Sequence, residues 1–106
     1  MQVVTLADIE PRELVPGFRV RFVHSERMTL AYWDIDEGAV LPEHGHVHEQ
    51  VAQVIEGEFS LTVEGQTARL GPGLVAVIPS GARHSGRALT RCRIIDAFSP
   101  VRDDYR

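Results

Sequence analysis

The clearest hydrophobic period along the chain runs from Phe59 to Glu64, where Phe59, Leu61 and Val63 alternate with Ser60, Thr62 and Glu64. That period of two describes a strand with one apolar and one wet face. FRVRFVH (Phe18 to His24) and MTLAYWDI (Met28 to Ile35) are β-branched or aromatic with partial alternation, and predict two further strands. QVAQVIEG follows a turn, and Glu56-Gly57-Glu58 is expected to close that strand tightly against FSLTVEG. Gly65-Gln66 leads into TARL, and Gly71-Pro72-Gly73 leads into LVAVIP. The run Leu74 to Ile78 is apolar throughout, which predicts burial on both faces or passage from one sheet to another. Pro79-Ser80-Gly81 turns the chain into RHSGRAL, and TRCRIIDAFSP supplies the last strand. Only EPRELVPG, bracketed by Pro11 and Pro16, offers as much as one helical turn. About eight or nine short strands with frequent turns predict a single all-β domain over residues 1–106, a sandwich or barrel of antiparallel strands. A parallel α/β sheet would need crossover helices that this pattern lacks.

A chain of 106 residues has room for one core, and any site must lie inside the one fold or between copies of it. The formal charge is −4, and the basic residues are all arginine, scattered among acids at similar density, so no phosphate-tracking stripe exists and nucleic acid is not an expected partner. Arg83, Arg87, Arg91 and Arg93 form a local concentration, read as a solvated strand face or as an anion-collecting rim. The one cysteine, Cys92, rules out an internal disulfide, and its place between Arg91 and Arg93 on an alternating strand makes it a buried small hydrophobe. Asp8 and Glu10 lie where a secretory signal would be basic, and no run approaches the roughly 18 apolar residues of a membrane helix. A cytoplasmic protein without a membrane partner is expected.

Chemistry concentrates in HGHVHEQ and near the Pro79-Ser80-Gly81 turn. In extended backbone His44 and His46 point to the same side, Gln50 has the same parity, and Ala52 and Val54 continue that face as apolar packing. His84 follows the second turn, and its same-side neighbours Gly86 and Ala88 are small enough to suggest room beside a ligand. Three histidines and a neutral amide oxygen suit one divalent transition metal, with Zn, Ni, Mn, Fe and Co all admissible and Mg and Ca disfavoured. No carboxylate offsets the charge of such an ion, which favours an anionic partner in an open position. The alternative is an exposed, histidine-rich loop. His48 keeps the same parity and is open to three readings: a fifth ligand, a donor to substrate, or a solvent-facing residue. Glu43 and Glu49 are expected to face outward or to orient a ring N–H.

Two segments carry a resemblance. Gly38-AVLPE-His44-Gly-His46-VHE-Gln50-VAQVIE-Gly57 resembles the first signature motif of the cupin superfamily, and Gly73-LVAVI-Pro79-Ser-Gly81-AR-His84 resembles the second. These motifs, at 38–57 and 73–84, imply a small single-domain cupin: a double-stranded β-helix, or jelly-roll barrel. Two positions depart from the pattern. Gln50 stands where a glutamate is usual, which argues against the chemistry of the glutamate-containing dioxygenases, and Ala88 stands where an asparagine often closes the second motif.

The tail Ile95-Asp96-Ala97-Phe98-Ser99-Pro100-Val101-Arg102-Asp103-Asp104-Tyr105, together with His-x-His-x-His-Glu-Gln, is similar to the small pectin-degradation (KdgF-like) cupins. That resemblance implies metal-dependent, non-oxidative opening of 4,5-unsaturated uronate monosaccharides to the linear keto uronate. It places metal ligands at His44, His46, Gln50 and His84, and functional residues at Asp96, Phe98 and Arg102. By parity Cys92, Ile94, Asp96 and Phe98 share one strand face, where a carboxylate is unusual. Asp96 serves either the metal site or a turn whose backbone N–H groups it accepts, and Phe98 is either core or a wall against a sugar ring. Arg102 either clamps a substrate carboxylate or lies exposed in a loose tail. Other outcomes of the same residues are a metal-dependent small-molecule oxygenase and a non-catalytic sugar-acid binding module. The expected partners are a small anionic sugar acid and a second copy of the chain, with QVVTLADI as a strand to add across a homodimer.

Overall fold

A computed structural model describes all 106 residues. After a short 3-10 turn at Leu6–Asp8 the chain forms ten strands: β1 Arg12–Val15, β2 Phe18–His24, β3 Thr29–Ile35, β4 Val40–His44, β5 Glu49–Glu56, β6 Phe59–Val63, β7 Gln66–Leu70, β8 Val75–Ile78, β9 His84–Ala88 and β10 Cys92–Ser99. A second 3-10 turn, Asp103–Tyr105, ends it. The segment bracketed by Pro11 and Pro16 is strand β1, not a helical turn: Gly17, at φ +82°, lets the chain reverse and pair Arg12 with Val20.

The strands form two antiparallel sheets, one of six strands in the order β1-β2-β3-β10-β5-β8 and one of four in the order β4-β9-β6-β7. This corrects the expected jelly-roll barrel. Neither sheet closes on itself: β1 and β8 edge the first, and β4 and β7 edge the second. The reason lies in the connections. Glu56-Gly57-Glu58 is not a hairpin, because β5 pairs with β10 and β8 whereas β6 pairs with β7 and β9. Gly57 instead carries the chain from one sheet to the other, as do the Gly45–His48 and Pro79–Arg83 segments. Each such crossing interrupts the ladder, so the sheets face one another as separate layers around the core.

Between the layers, alternation places the side chains as the pattern predicts on most strands. Phe59 and Leu61 of β6, Ala52 and Val54 of β5, and Cys92, Ile94, Asp96 and Phe98 of β10 all point inward and are buried. β8 departs from expectation. Ile78 is buried, but Val75 and Val77 are 52% and 64% exposed, and Val77 lies opposite the partly exposed Val51. An edge strand has one covered face, and here the outer face of β5 and β8 is an apolar row that also includes Ile55 and the adjacent Leu74. The N-terminal QVVT is exposed and lies outside both sheets.

Register across the larger sheet shapes its interior. Asp96 lies between Ala31 of β3 and Ala52 of β5, and Ala52 lies opposite Ala76 of β8. The flanking row, Val20, Trp33, Ile94 and Val54, is bulky. The expected room beside Gly86 is absent, because a Cβ there would sit 2.3 Å from the Phe59 ring: the missing side chain is filled by an aromatic ring. Of the alanines flanking Asp96, Ala52 lines the cavity that the histidines border.

Gly57 has φ +84°, and an added Cβ would meet the Arg91 carbonyl oxygen at 2.1 Å. Gly57→Ala should therefore destabilise the fold by about 2 kcal/mol or more, through a left-handed backbone and a contact with main chain that cannot yield. Urea denaturation of both proteins measures it.

Candidate metal site

His44 ends β4, His46 lies in the loop to β5, Gln50 is on β5 and His84 opens β9. Extended parity is therefore not what unites them. The chain turns from the smaller sheet to the larger between His44 and Gln50, while the β4–β9 pairing puts His44 directly opposite His84. A backbone bond from Gly81 N–H to the His46 carbonyl, 2.8 Å, ties the two turns together.

The rings are oriented by the backbone beside them. His44 Nδ1 lies 2.9 Å from the Pro42 carbonyl, His46 Nδ1 2.9 Å from that of His48, and His84 Nδ1 2.9 Å from that of Ala82. A nitrogen facing a carbonyl must carry the proton, so each Nδ1–H donates and each Nε2 keeps its lone pair. The candidate ligand atoms of the three rings lie within 4.8 Å of one another. His84, 2% exposed, has a buried Nε2 with no protein partner. Burial lowers the pKa of His46 to about 4, and burial also lowers that of His84, which favours the neutral ring in both. Three converging imidazole nitrogens, one of them orphaned, can coordinate a metal ion. The orienting acceptors are main-chain carbonyls, whereas Glu43 faces Arg83 at 3.7 Å and Glu49 is exposed.

His46 Nε2 also lies 3.2 Å from Gln50 Oε1, so two acceptors face each other. His48 is not part of the cluster: its ring stands 5.5 Å from that of His46 and 6.5 Å from that of Phe98, and its Nδ1 is buried without a partner.

Asp96, Phe98 and Arg102 border the same cavity of about 290 Å³ as the histidines and Gln50. Asp96 is 6% exposed, and its Oδ2 accepts the Trp33 indole N–H at 3.0 Å, so a side chain and not a turn backbone serves it. Its Oδ1 is buried with no partner in hydrogen-bonding geometry. Burial raises the Asp96 pKa to about 6, against the opposing influence of the Gln50 amide, Trp33 and Arg102. Phe98 packs with its ring centroid 5.7 Å from that of His46 and 4.7 Å beneath the Arg102 guanidinium. Arg102 is 5% exposed, not loose in a tail. Its backbone N–H donates to Thr29 Oγ1 at 2.9 Å, and its guanidinium meets Asp104. Trp33, Thr29 and Asp104 were not singled out in the sequence, because each acquires its partner only when β3, β10 and the tail come together. Arg83, Arg87, Arg91 and Arg93 are all solvent-exposed but do not share a face, since Arg87 is on β9 of the smaller sheet and Arg93 on β10 of the larger; Arg91 is paired to Asp34.

For the metal-free protein, the raised Asp96 pKa has a definite sign. The folded state holds its proton up to about pH 6, whereas the unfolded chain releases it near 4, so this group favours folding less as pH rises across that window. His46 and His84 act in the opposite direction, gaining stability as pH rises toward 6.5. Comparing wild type with Asp96→Asn cancels the histidines. The variant should gain stability relative to wild type between pH 4 and 6, by up to about 3 kcal/mol above that range. Thermal melts of chelator-treated protein at several pH values check this.

Comparison with known proteins agrees with the geometry. The chain is 28% identical over 96 residues to the pectin degradation protein KdgF of Dickeya dadantii (strain 3937), covering 88% of this chain and 87% of that protein. The structure of KdgF from Halomonas sp. superposes with a TM-score of 0.93 at 30% identity, covering 100% of this chain and 99% of that one. An RmlC-like cupin from Shewanella frigidimarina NCIMB 400 superposes equally, at TM-score 0.93 and 27% identity, covering 100% and 96%. No helix is long and apolar enough to cross a membrane. With residues 31–98 matching the Cupin domain family, two signature segments meeting at a histidine cluster, and KdgF among its relatives, the chain belongs to the cupins and resembles their small KdgF-like members.

Proposed function

We propose that this protein opens the ring of 4,5-unsaturated uronate monosaccharides without oxidation, giving the linear keto uronate. One observation carries the reading: a buried carboxylate, Asp96, has an unpaired oxygen and a pKa of about 6 in the cavity that also holds three converging histidines. The resemblance to KdgF proteins supports the substrate class.

His44, His46 and His84 would hold one divalent transition metal, with Gln50 Oε1 as fourth donor. A cation between His46 Nε2 and Gln50 Oε1 would relieve the contact between two acceptors. Zn, Ni, Mn, Fe and Co all suit such a donor set. When bound, the ion supplies Lewis-acid stabilisation of negative charge developing on a coordinated oxygen.

The reaction is an isomerisation. The hemiacetal bond between C1 and the ring oxygen breaks, the proton leaves the anomeric hydroxyl, C1 becomes a carbonyl, and a proton arrives at C4 as the enol becomes a ketone. Ionised Asp96 accepts the anomeric proton and, once protonated, delivers one to C4. A pKa near neutrality lets a single carboxylate do both. Trp33 fixes the other Asp96 oxygen, leaving Oδ1 as the reactive one. Phe98 walls the ring, Arg102 binds the substrate carboxylate, and the apolar end of the cavity, lined by Ile35, Val54 and Leu61, limits entry of water.

Metal-loaded protein, kept free of oxygen and given the unsaturated galacturonate monomer, should speed the loss of its conjugated ultraviolet absorbance over the spontaneous rate. A chelator or His84→Ala should abolish the acceleration, and Asp96→Asn should lower kcat at least 100-fold with metal content retained. Undiminished turnover by Asp96→Asn would remove the assigned role, and no acceleration by wild type would remove the activity.

A homodimer is part of the same proposal, supported by the exposed row Val51, Ile55, Val75 and Val77 that a second copy would cover. Sedimentation equilibrium should return twice the chain mass, and Val77→Asp should shift it toward the monomer.

A further inference from the structure

Arg102 is held from nearly every side. Its backbone N–H is bonded to Thr29 Oγ1, a fully buried hydroxyl that lies 2.8 Å from His24 Nδ1. One face of the guanidinium stacks on Phe98 at 4.7 Å and another contact is made to the Tyr105 ring at 4.1 Å. Tyr105 is itself stacked on Phe22, with ring centroids 4.6 Å apart. Asp104 then takes two of the nitrogens at once, Nε to Oδ1 at 3.0 Å and Nη2 to Oδ2 at 2.7 Å.

A guanidinium has two edges that accept a carboxylate in a fork. The Nε–Nη2 edge is occupied by Asp104, whose side chain is 52% exposed and approaches from the outside. What remains is the edge formed by Nη1 and the second Nη2 proton, and Nη1 makes no hydrogen bond to the protein. Arg102 lines the cavity that holds the histidines and Asp96. An ion pair with one half-exposed partner adds little stability. Its geometric effect is larger, because Asp104 removes the rotation that would let the fork turn away.

We propose that Asp104 is a positioning residue, which locks Arg102 by one edge so that the other edge receives the carboxylate of a sugar acid in the cavity. This rests on the uronate reading of the site for the class of ligand, but not on ring opening. Asp104 thereby acts as a brace, not as a competitor that a substrate must displace. The 3-10 turn Asp103–Tyr105, the last feature of the chain, becomes part of the binding site: it supplies both the brace and the Tyr105 ring over the guanidinium.

The test is calorimetric titration of zinc-loaded protein with D-galacturonate and with D-galactose, which has the same ring but no carboxylate. Wild type should bind the acid at least ten-fold more tightly. Asp104→Ala should weaken galacturonate about ten-fold, Asp104→Asn, which retains one acceptor oxygen, should recover part of that, and galactose should be unaffected. Arg102→Lys keeps the charge but lacks the fork; in that background Asp104→Ala should cost nothing further, since the brace has nothing to brace. A structural role would lower affinity equally in both backgrounds and would overturn the proposal. Tighter galacturonate binding by Asp104→Ala would overturn it in favour of an internal competitor, and equal binding of acid and neutral sugar by wild type would remove Arg102 as the receptor. If galacturonate binds as described but the unsaturated uronate is not opened, the brace stands and the ring-opening reading falls.

Discussion

The site depends on strand β10 being held between β3 and β5 in one register. That register sets Asp96 between Ala31 and Ala52, and Phe98 between Thr29 and Gln50. A slip by one residue would turn Asp96, Phe98 and Cys92 outward together and bring Arg93, Ile95 and Ala97 in, since side chains alternate across a strand. The cost of such a slip is high because Ile94 and Cys92 are locked into the apolar interior with Val54 and Ile35. The same constraint that keeps the core apolar therefore keeps a carboxylate buried, at the expense of its ionisation.

The histidine cluster arises differently. Its three rings come from a strand end, a loop and a strand start, and each is aimed by a carbonyl two residues away in its own segment. Local backbone thus sets the tautomer, and the pairing of β4 with β9 sets the convergence. Burial favours the neutral form of His46 and His84, and it leaves the His84 Nε2 in the interior with no internal partner. Those are the conditions a metal needs, and they are met by main chain rather than by the acidic residues nearby.

The two halves meet at Gln50. Its amide oxygen faces His46, and its amide also favours the ionised form of Asp96. A carboxamide has an acceptor at one end and donors at the other, so one side chain can address a lone-pair cluster and a carboxylate together. A glutamate there would bring a second negative charge toward Asp96. In this chain the choice of glutamine is thus tied to the presence of a buried aspartate on the neighbouring strand.

Alternation alone determined that the chain is all-β, which residues of β5, β6 and β10 face inward, and that an aspartate would stand on an apolar face. Those features are local: they follow from side-chain parity and from turns set by glycine and proline. His44, His46 and His84 stood out as candidate ligands by residue type, but parity does not unite them; the pairing of β4 with β9 does. Tertiary structure decided the rest, for reasons that involve partners distant in the chain. Gly57 and the segment after His44 carry the chain between sheets, so a turn that reads as a hairpin is a crossing, and no barrel closes. β8 reads as buried on both faces or as passing between sheets, but it is an edge strand with an exposed face, because apolarity does not reveal which faces acquire neighbours. The space at Gly86 belongs to Phe59, and the cavity wall beside Asp96 is Ala52, a neighbour that only register supplies. Arg102, in a tail that could have been loose, is buried because Thr29, 73 positions away, anchors its backbone while Phe98, Asp104 and Tyr105 close around its guanidinium, and no linear pattern records that anchor.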